Sequence, residues 1–152
     1  MDFLVINGKE AKIVAFQIVQ NAVIKKFVAL DFRDVVAISR THLLIKEAKA
    51  LQKNLLPFDE IYRTYGRVMG VTAKTESGKK IGRISDLLIE AETGLIVRFA
   101  IRNLFTERII PRQFLVSISP RDVVFQDVVD QPIFDKVATT ETAVAKIVPT
   151  TP

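Results

Sequence analysis

Short alternating apolar segments broken by turn residues run through most of this chain, and they constrain its fold more than any other feature. In Ala11-Lys-Ile-Val-Ala-Phe-Gln-Ile-Val-Gln20, alternation puts Val14, Phe16 and Ile18 on one face. Leu95-Ile-Val-Arg-Phe-Ala-Ile-Arg102 is cleaner: Leu95, Val97, Phe99 and Ile101 face one way, and Arg98 and Arg102 the other. Further strands are expected over 23–31, 34–38, 42–45, 67–73, 80–90, 107–110, 114–118 and 122–125. Glu76-Ser-Gly78 and Glu92-Thr-Gly94 supply turn glycines between neighbouring strands. From Glu47 to Asn54 the residues are strong helix formers and Pro57 follows, which predicts a short connecting helix.

Composition narrows the functional classes. The chain has 152 residues, no cysteine and a single histidine, His42. Disulfides, thiolate chemistry, cysteine-ligated zinc and any His–His relay are thereby excluded. Apolar runs such as Leu87-Leu88-Ile89 are far shorter than the ~20 residues of a spanning helix. With no secretory pattern at the N-terminus, the expectation is a cytoplasmic protein. Net charge is +5. The excess lies between Arg63 and Arg112, with ten basic against five acidic residues, whereas 122–152 carries two against five. Such a distribution suits an anionic partner or simply a basic, solvated surface.

The two halves show an internal correspondence. Gly8-Lys9 aligns with Gly78-Lys79, an offset of 70, which superposes 14–19 on 84–89. Val23-Ile24 and Lys26-Phe27 then match Leu95-Ile96 and Arg98-Phe99. Further on, Val36-Ala-Ile-Ser39 matches Val116-Ser-Ile-Ser119, and Leu43-Leu-Ile-Lys-Glu47 matches Val123-Val-Phe-Gln-Asp127.

In the second copy, Gly70-Val-Thr-Ala-Lys-Thr-Glu-Ser-Gly-Lys-Lys-Ile-Gly-Arg-Ile-Ser-Asp-Leu-Leu-Ile89 resembles the opening of a PRC-barrel domain. Glu92-Thr-Gly94 with Leu95–Arg102 resembles the hairpin that follows, and Arg108-Ile-Ile-Pro111 with Phe114–Ile118 resembles the family's ending. In the first copy, Lys12 stands for Gly82, Phe16 for Asp86 and Ala22 for Gly94. The resulting expectation is an all-β chain: two tandem small PRC-barrel-like β-barrels joined by a short helical linker. Residues 1–46 form a degenerate module, 47–64 the linker, 65–130 the PRC-barrel domain and 131–152 a flexible tail, within which 144–148 could dock.

The resemblance implies adaptor or assembly work by binding another protein, without catalysis and without a cofactor. The alternative is an RNA- or ribosome-associated factor binding through its basic face; self-association into a homo-oligomer is a third expectation. Gly78, Gly82, Asp86, Gly94 and Pro111 are assigned structural work: turns, a bulge or close approach at Gly82, a backbone hydrogen bond for Asp86 and a strand end at Pro111. Arg98, Arg102, Arg108 and Arg112 are the partner-binding candidates, because two adjacent strands would gather four guanidinium groups into one patch. A second candidate is the apolar stretch Leu51, Leu55, Leu56, Phe58, Ile61, Tyr62 and Tyr65, which either packs between the modules or docks a partner.

Overall fold

The computed structural model describes residues 3–21, 23, 26–39, 42–52, 67–134 and 144–147. The first half contains β1 (Phe3–Asn7), β2 (Lys12–Asn21), β3 (Lys26–Asp31), β4 (Val35–Ile38), β5 (Leu43–Ile45) and β6 (Leu51–Gln52). The second contains β7 (Thr72–Thr75), β8 (Lys80–Glu90), β9 (Ile96–Arg102), β10 (Glu107–Pro111), β11 (Leu115–Ile118) and β12 (Asp122–Phe125), and β13 (Val144–Ile147) follows. The only helices among the described residues are 3-10 turns of three or four residues. The fold is therefore mostly β.

Strands β1-β2-β3-β6 make one sheet, and β10-β9-β8-β7-β12-β11, with β13 added to β8, make another; β4 and β5 form a two-stranded sheet. Among the described residues neither large sheet closes into a barrel, so the all-β character holds while closure of the two PRC-barrel-like modules is not seen. In the second half the path ends at β10 and β11, which the chain connects through Pro111 and the 3-10 turn Arg112–Phe114. Proline brings no N–H to a ladder, and the turn redirects the chain, so pairing stops there. Helix-forming composition at Glu47–Asn54 yields only one 3-10 turn, Ala48–Ala50. Leu51 and Gln52 then pair with Leu30 and Ala29 of β3. Tertiary pairing has overridden local propensity there, and the remainder of the expected linker lies outside the described residues.

Bulges set which side chains enter the core. Between β8 and β9 the register jumps from Ile84↔Ile101 to Asp86↔Ala100, leaving Ser85 as the extra residue. Leu87 and Ile89 thus become fully buried. A second jump leaves Val97 extra, since Leu88 faces Arg98 and Ile89 faces Ile96. Ile96 consequently fills the core in place of Leu95 and Val97, which strict alternation had put there. One continuous cluster draws on both halves, including Ile13, Phe16 and Phe32 from the first and Ile96, Phe99 and Phe125 from the second. Phe99 and Phe125 meet edge to face at 5.3 Å.

The hairpins β4–β5 and β11–β12 share one register. Val35↔Ile45, Ala37↔Leu44 and Ile38↔Leu43 become Leu115↔Phe125, Ser117↔Val124 and Ile118↔Val123 when every number is raised by 80. The closing bonds match as well. Ser39 N donates to His42 O and Ser119 N to Asp122 O, both at 2.9 Å; Lys46 N donates to Asp34 O at 3.0 Å and Gln126 N to Phe114 O at 2.9 Å. Their surroundings differ: β12 continues into a parallel pairing with β7, and β5 has only β4 among the described strands.

The two halves interlock through their turns. Ile13 N donates to Gly94 O and Ile96 N to Ala11 O, both at 2.9 Å, and Lys12 bridges Leu95. Gly94 has φ 78°, and a Cβ placed on it would lie 2.6 Å from Ile13 O and 3.2 Å from the Phe32 ring. The glycine therefore serves its own turn and also the close approach of the first half.

Candidate interaction surface

The strand β9 and its neighbour β10 do lie side by side, as the arginine patch requires, but the register divides the four residues. Arg102 opposes Glu107, Arg98 opposes Pro111 and Arg108 opposes Ile101. Directly opposed residues project to the same face of an antiparallel pair. Arg108 thus shares the side of the buried Ile101, away from Arg98 and Arg102. Its side chain is 13% exposed, and the guanidinium donates to Asp130 Oδ1 at 3.2 Å and to Val129 O at 3.3 Å.

Arg112 works elsewhere again. Its Nη1 donates to Ala11 O at 2.9 Å and Ile96 O at 3.3 Å, and its Nη2 donates to Glu10 O. Two carbonyls of the β1–β2 turn and one at the start of β9 converge on one guanidinium, so Arg112 clasps the halves together. Arg102 keeps a 66% exposed side chain with Glu107 3.4 Å away, and Arg98 is half-buried on the same strand.

Between Arg102 and Glu107 lies a feature that charge patterns do not reveal. Leu104 and Phe105 are 93% and 92% exposed at the tip of the β9–β10 hairpin. Their loop is well built: Asn103 Oδ1 accepts from Phe105 N and Thr106 N, both at 2.8 Å, and Asn103 N donates to Thr106 O at 3.0 Å. An asparagine bonded to its own downstream backbone fixes such a turn. Polar residues normally occupy a hairpin tip, so the Leu-Phe pair was the available signal in the sequence. Two large apolar groups held in water by a rigid loop are suited to binding.

The remaining candidates take structural positions. Gly82 has φ 144°, and a Cβ on it would sit 2.6 Å from Arg102 O. Gly78 has φ 89° and donates its N–H to Thr75 O at 2.9 Å within the β7–β8 turn. Asp86 is 6% exposed, and its Oδ1 accepts from Leu87 N at 2.9 Å. Pro111 ends β10 at φ −63° and ψ 149°. His42 is exposed at the start of β5, its backbone held by the Ser39 hydroxyl. Of the apolar stretch from Leu51 to Tyr65, only Leu51, half-buried against the core, falls within the described residues.

A groove of about 480 Å³ runs along the junction, lined in part by Lys12, Ile13, Asp31, Phe32, Arg33 and Glu92. Asp31 and Arg33 are already bound to each other there, with Arg33 Nη2 2.7 Å from Asp31 Oδ2. The Arg33 side chain holds the Asp31 carboxyl below its usual range, against the opposing effect of burial. Neighbouring turns use carboxylates in the same manner. Lys79 and then Arg108 lower Asp130, the backbone N–H of Ser77 lowers Asp127, and Lys74, at 2.7 Å, lowers Asp122. Such groups fasten turns to strands. Among the described residues no three His, Cys, Asp or Glu side chains gather as a metal site, and no helix is long and apolar enough to cross a membrane.

Residues 60–133 match the family model of the PRC-barrel domain. PRC-barrel domains are small β domains that often mediate protein interactions, and they are not a known enzyme family. No curated protein matches the chain.

Proposed function

We propose that this chain, as the bearer of a PRC-barrel domain, is a non-enzymatic adaptor that binds another protein through the β9–β10 hairpin. The observation that carries this reading is the near-complete exposure of Leu104 and Phe105 on a hydrogen-bonded loop beside Arg102. Burying such a pair in a partner's pocket would contribute about 1.5–3 kcal/mol per side chain. Arg102 and Arg98 then supply a basic flank that favours carboxylates around that pocket. In this reading the first half is a degenerate copy of the PRC-barrel unit. Its support is the shared register of β4–β5 and β11–β12 at an offset of 80. The first half braces the domain through Gly94 and Arg112.

The test is a tagged full-length pull-down at about 150 mM salt, with and without nuclease, on the parent chain, Leu104→Ser/Phe105→Ser and Arg98→Glu/Arg102→Glu. A discrete protein set that survives nuclease and disappears with the hairpin variant is expected, with a weaker loss for the arginine variant. Recovery of the same set by the hairpin variant would refute the assignment. A signal that needs nucleic acid and vanishes only with the arginine variant would transfer the function to RNA binding, where affinity falls steeply with salt.

A further inference from the structure

The long strand β8 has three neighbours rather than two. On one side, β9 pairs with it from Arg83 to Ile89. On the other, β7 covers only Lys80 to Arg83, and β13 takes the far end, with Val144↔Glu90, Ala145↔Ile89, Lys146↔Leu88 and Ile147↔Leu87. Nine residues of chain separate Phe134 from Val144. Leu87 and Ile89 are fully buried, and β9 pairs along the opposite side of their strand.

We infer that the edge of β8 from Leu87 to Glu90 is a strand-accepting site, occupied in cis by Val144–Ile147 and open to an extended, apolar segment of another protein that replaces it. The present occupant states the chemistry that fits: four residues in antiparallel register, read through main-chain hydrogen bonds, as in binding by strand addition. A four-residue strand that pairs with one neighbour only is among the easiest elements of a fold to open. Because β13 belongs to the same chain, it acts as an intramolecular competitor that a partner strand must exceed. The site is separate from the β9–β10 hairpin tip and does not rest on its role.

The absence of cysteine makes the site testable in the full-length chain. Leu88→Cys/Lys146→Cys joins directly opposed positions, and facing residues of an antiparallel pair lie within disulfide reach. Ala145→Pro/Lys146→Pro removes two N–H donors from the tail and expels it. The probe is a fluorescent peptide of residues 141–149, followed by anisotropy. The proline variant is expected to bind it at least tenfold more tightly than the parent chain. The oxidised cysteine variant is expected to bind none, and reduction should restore the parent's level. Equal binding by the proline variant and the oxidised variant would overturn the inference, as would failure of the cysteine pair to oxidise within the folded monomer. Hairpin variants at Leu104 and Phe105 should bind the peptide like the parent, which separates this result from the outcome of the pull-down.

Discussion

Replacing Gly94 by alanine tests how the two halves are joined. The residue has φ 78°, which costs an L-residue about 1–2 kcal/mol. A methyl group there would also lie 2.6 Å from Ile13 O, a distance that real Cβ atoms do not tolerate, so the turn from the first half must withdraw. Withdrawal strains two backbone hydrogen bonds, Ile13 N to Gly94 O and Ile96 N to Ala11 O, each contributing about 1 kcal/mol. The expected total is about 3–4 kcal/mol. Gly78→Ala is the matched control: φ is 89° and nothing lies within 4 Å of its added Cβ, so only the conformational part, about 1–2 kcal/mol, applies. The chain has no tryptophan, so urea unfolding would be followed by far-ultraviolet circular dichroism. A Gly94→Ala midpoint no lower than that of Gly78→Ala would refute the argument that the halves meet through this turn. Arg112→Ala removes a donor to Ala11 O, the carbonyl that also accepts from Ile96 N, so the double variant should cost less than the two single variants added together.

Three further outcomes are expected. Phe99→Ala should cost about 3–5 kcal/mol in urea unfolding, because Phe99 is fully buried against Phe125, whereas Leu104→Ala should stay within about 0.5 kcal/mol. Asp31, Asp122, Asp127 and Asp130 all have lowered pKa values in the folded chain, so their contribution is complete above the unfolded carboxyl value of about 4 and fades as pH falls through the folded values. Melting temperature should therefore be level above about pH 5 and drop below pH 4; a chain equally stable at pH 3 would contradict the assignment. Asp130→Asn loses both Lys79 and Arg108 as ionic partners, so it should melt lower than the parent at pH 7 and approach the parent at pH 3.

Much of the strand content was legible, and the reason is local. Alternation and turn glycines mark β8, β9 and β12 in the sequence itself, and the Val36–Ser39 match with Val116–Ser119 falls on hairpins of identical register. Phase was harder. Ser85 and Val97 become bulge residues only when β8 and β9 meet, and nothing in either segment alone announces that Ile96 will be buried rather than Val97. Leu51 and Gln52 read as helix formers and pair as strand because β3 offers an edge. The arginines illustrate the limit for the candidate site. Period-two spacing put Arg98 and Arg102 on one face, but Arg108 and Arg112 find their partners, Asp130 and the Ala11 carbonyl, 22 and 101 positions away. Leu104 and Phe105 carry a signal of another kind than charge: an apolar pair where a hairpin should be polar.

The parallel pairing of β7 with β12 has a consequence for synthesis. Residues Thr72 to Thr75 must wait for Asp122 to Phe125, and at about 5–20 residues per second the ribosome takes roughly 2–10 s to deliver them. The β8–β9 hairpin can form on the microsecond scale as soon as it emerges. For those seconds one flank of β7 is an unprotected ladder on a nascent chain, with Ala73 and Thr75 still without their partners Val123 and Phe125. The period of greatest exposure to misassociation thus falls before the last strand of the domain has been translated, and chaperone capture should be concentrated there.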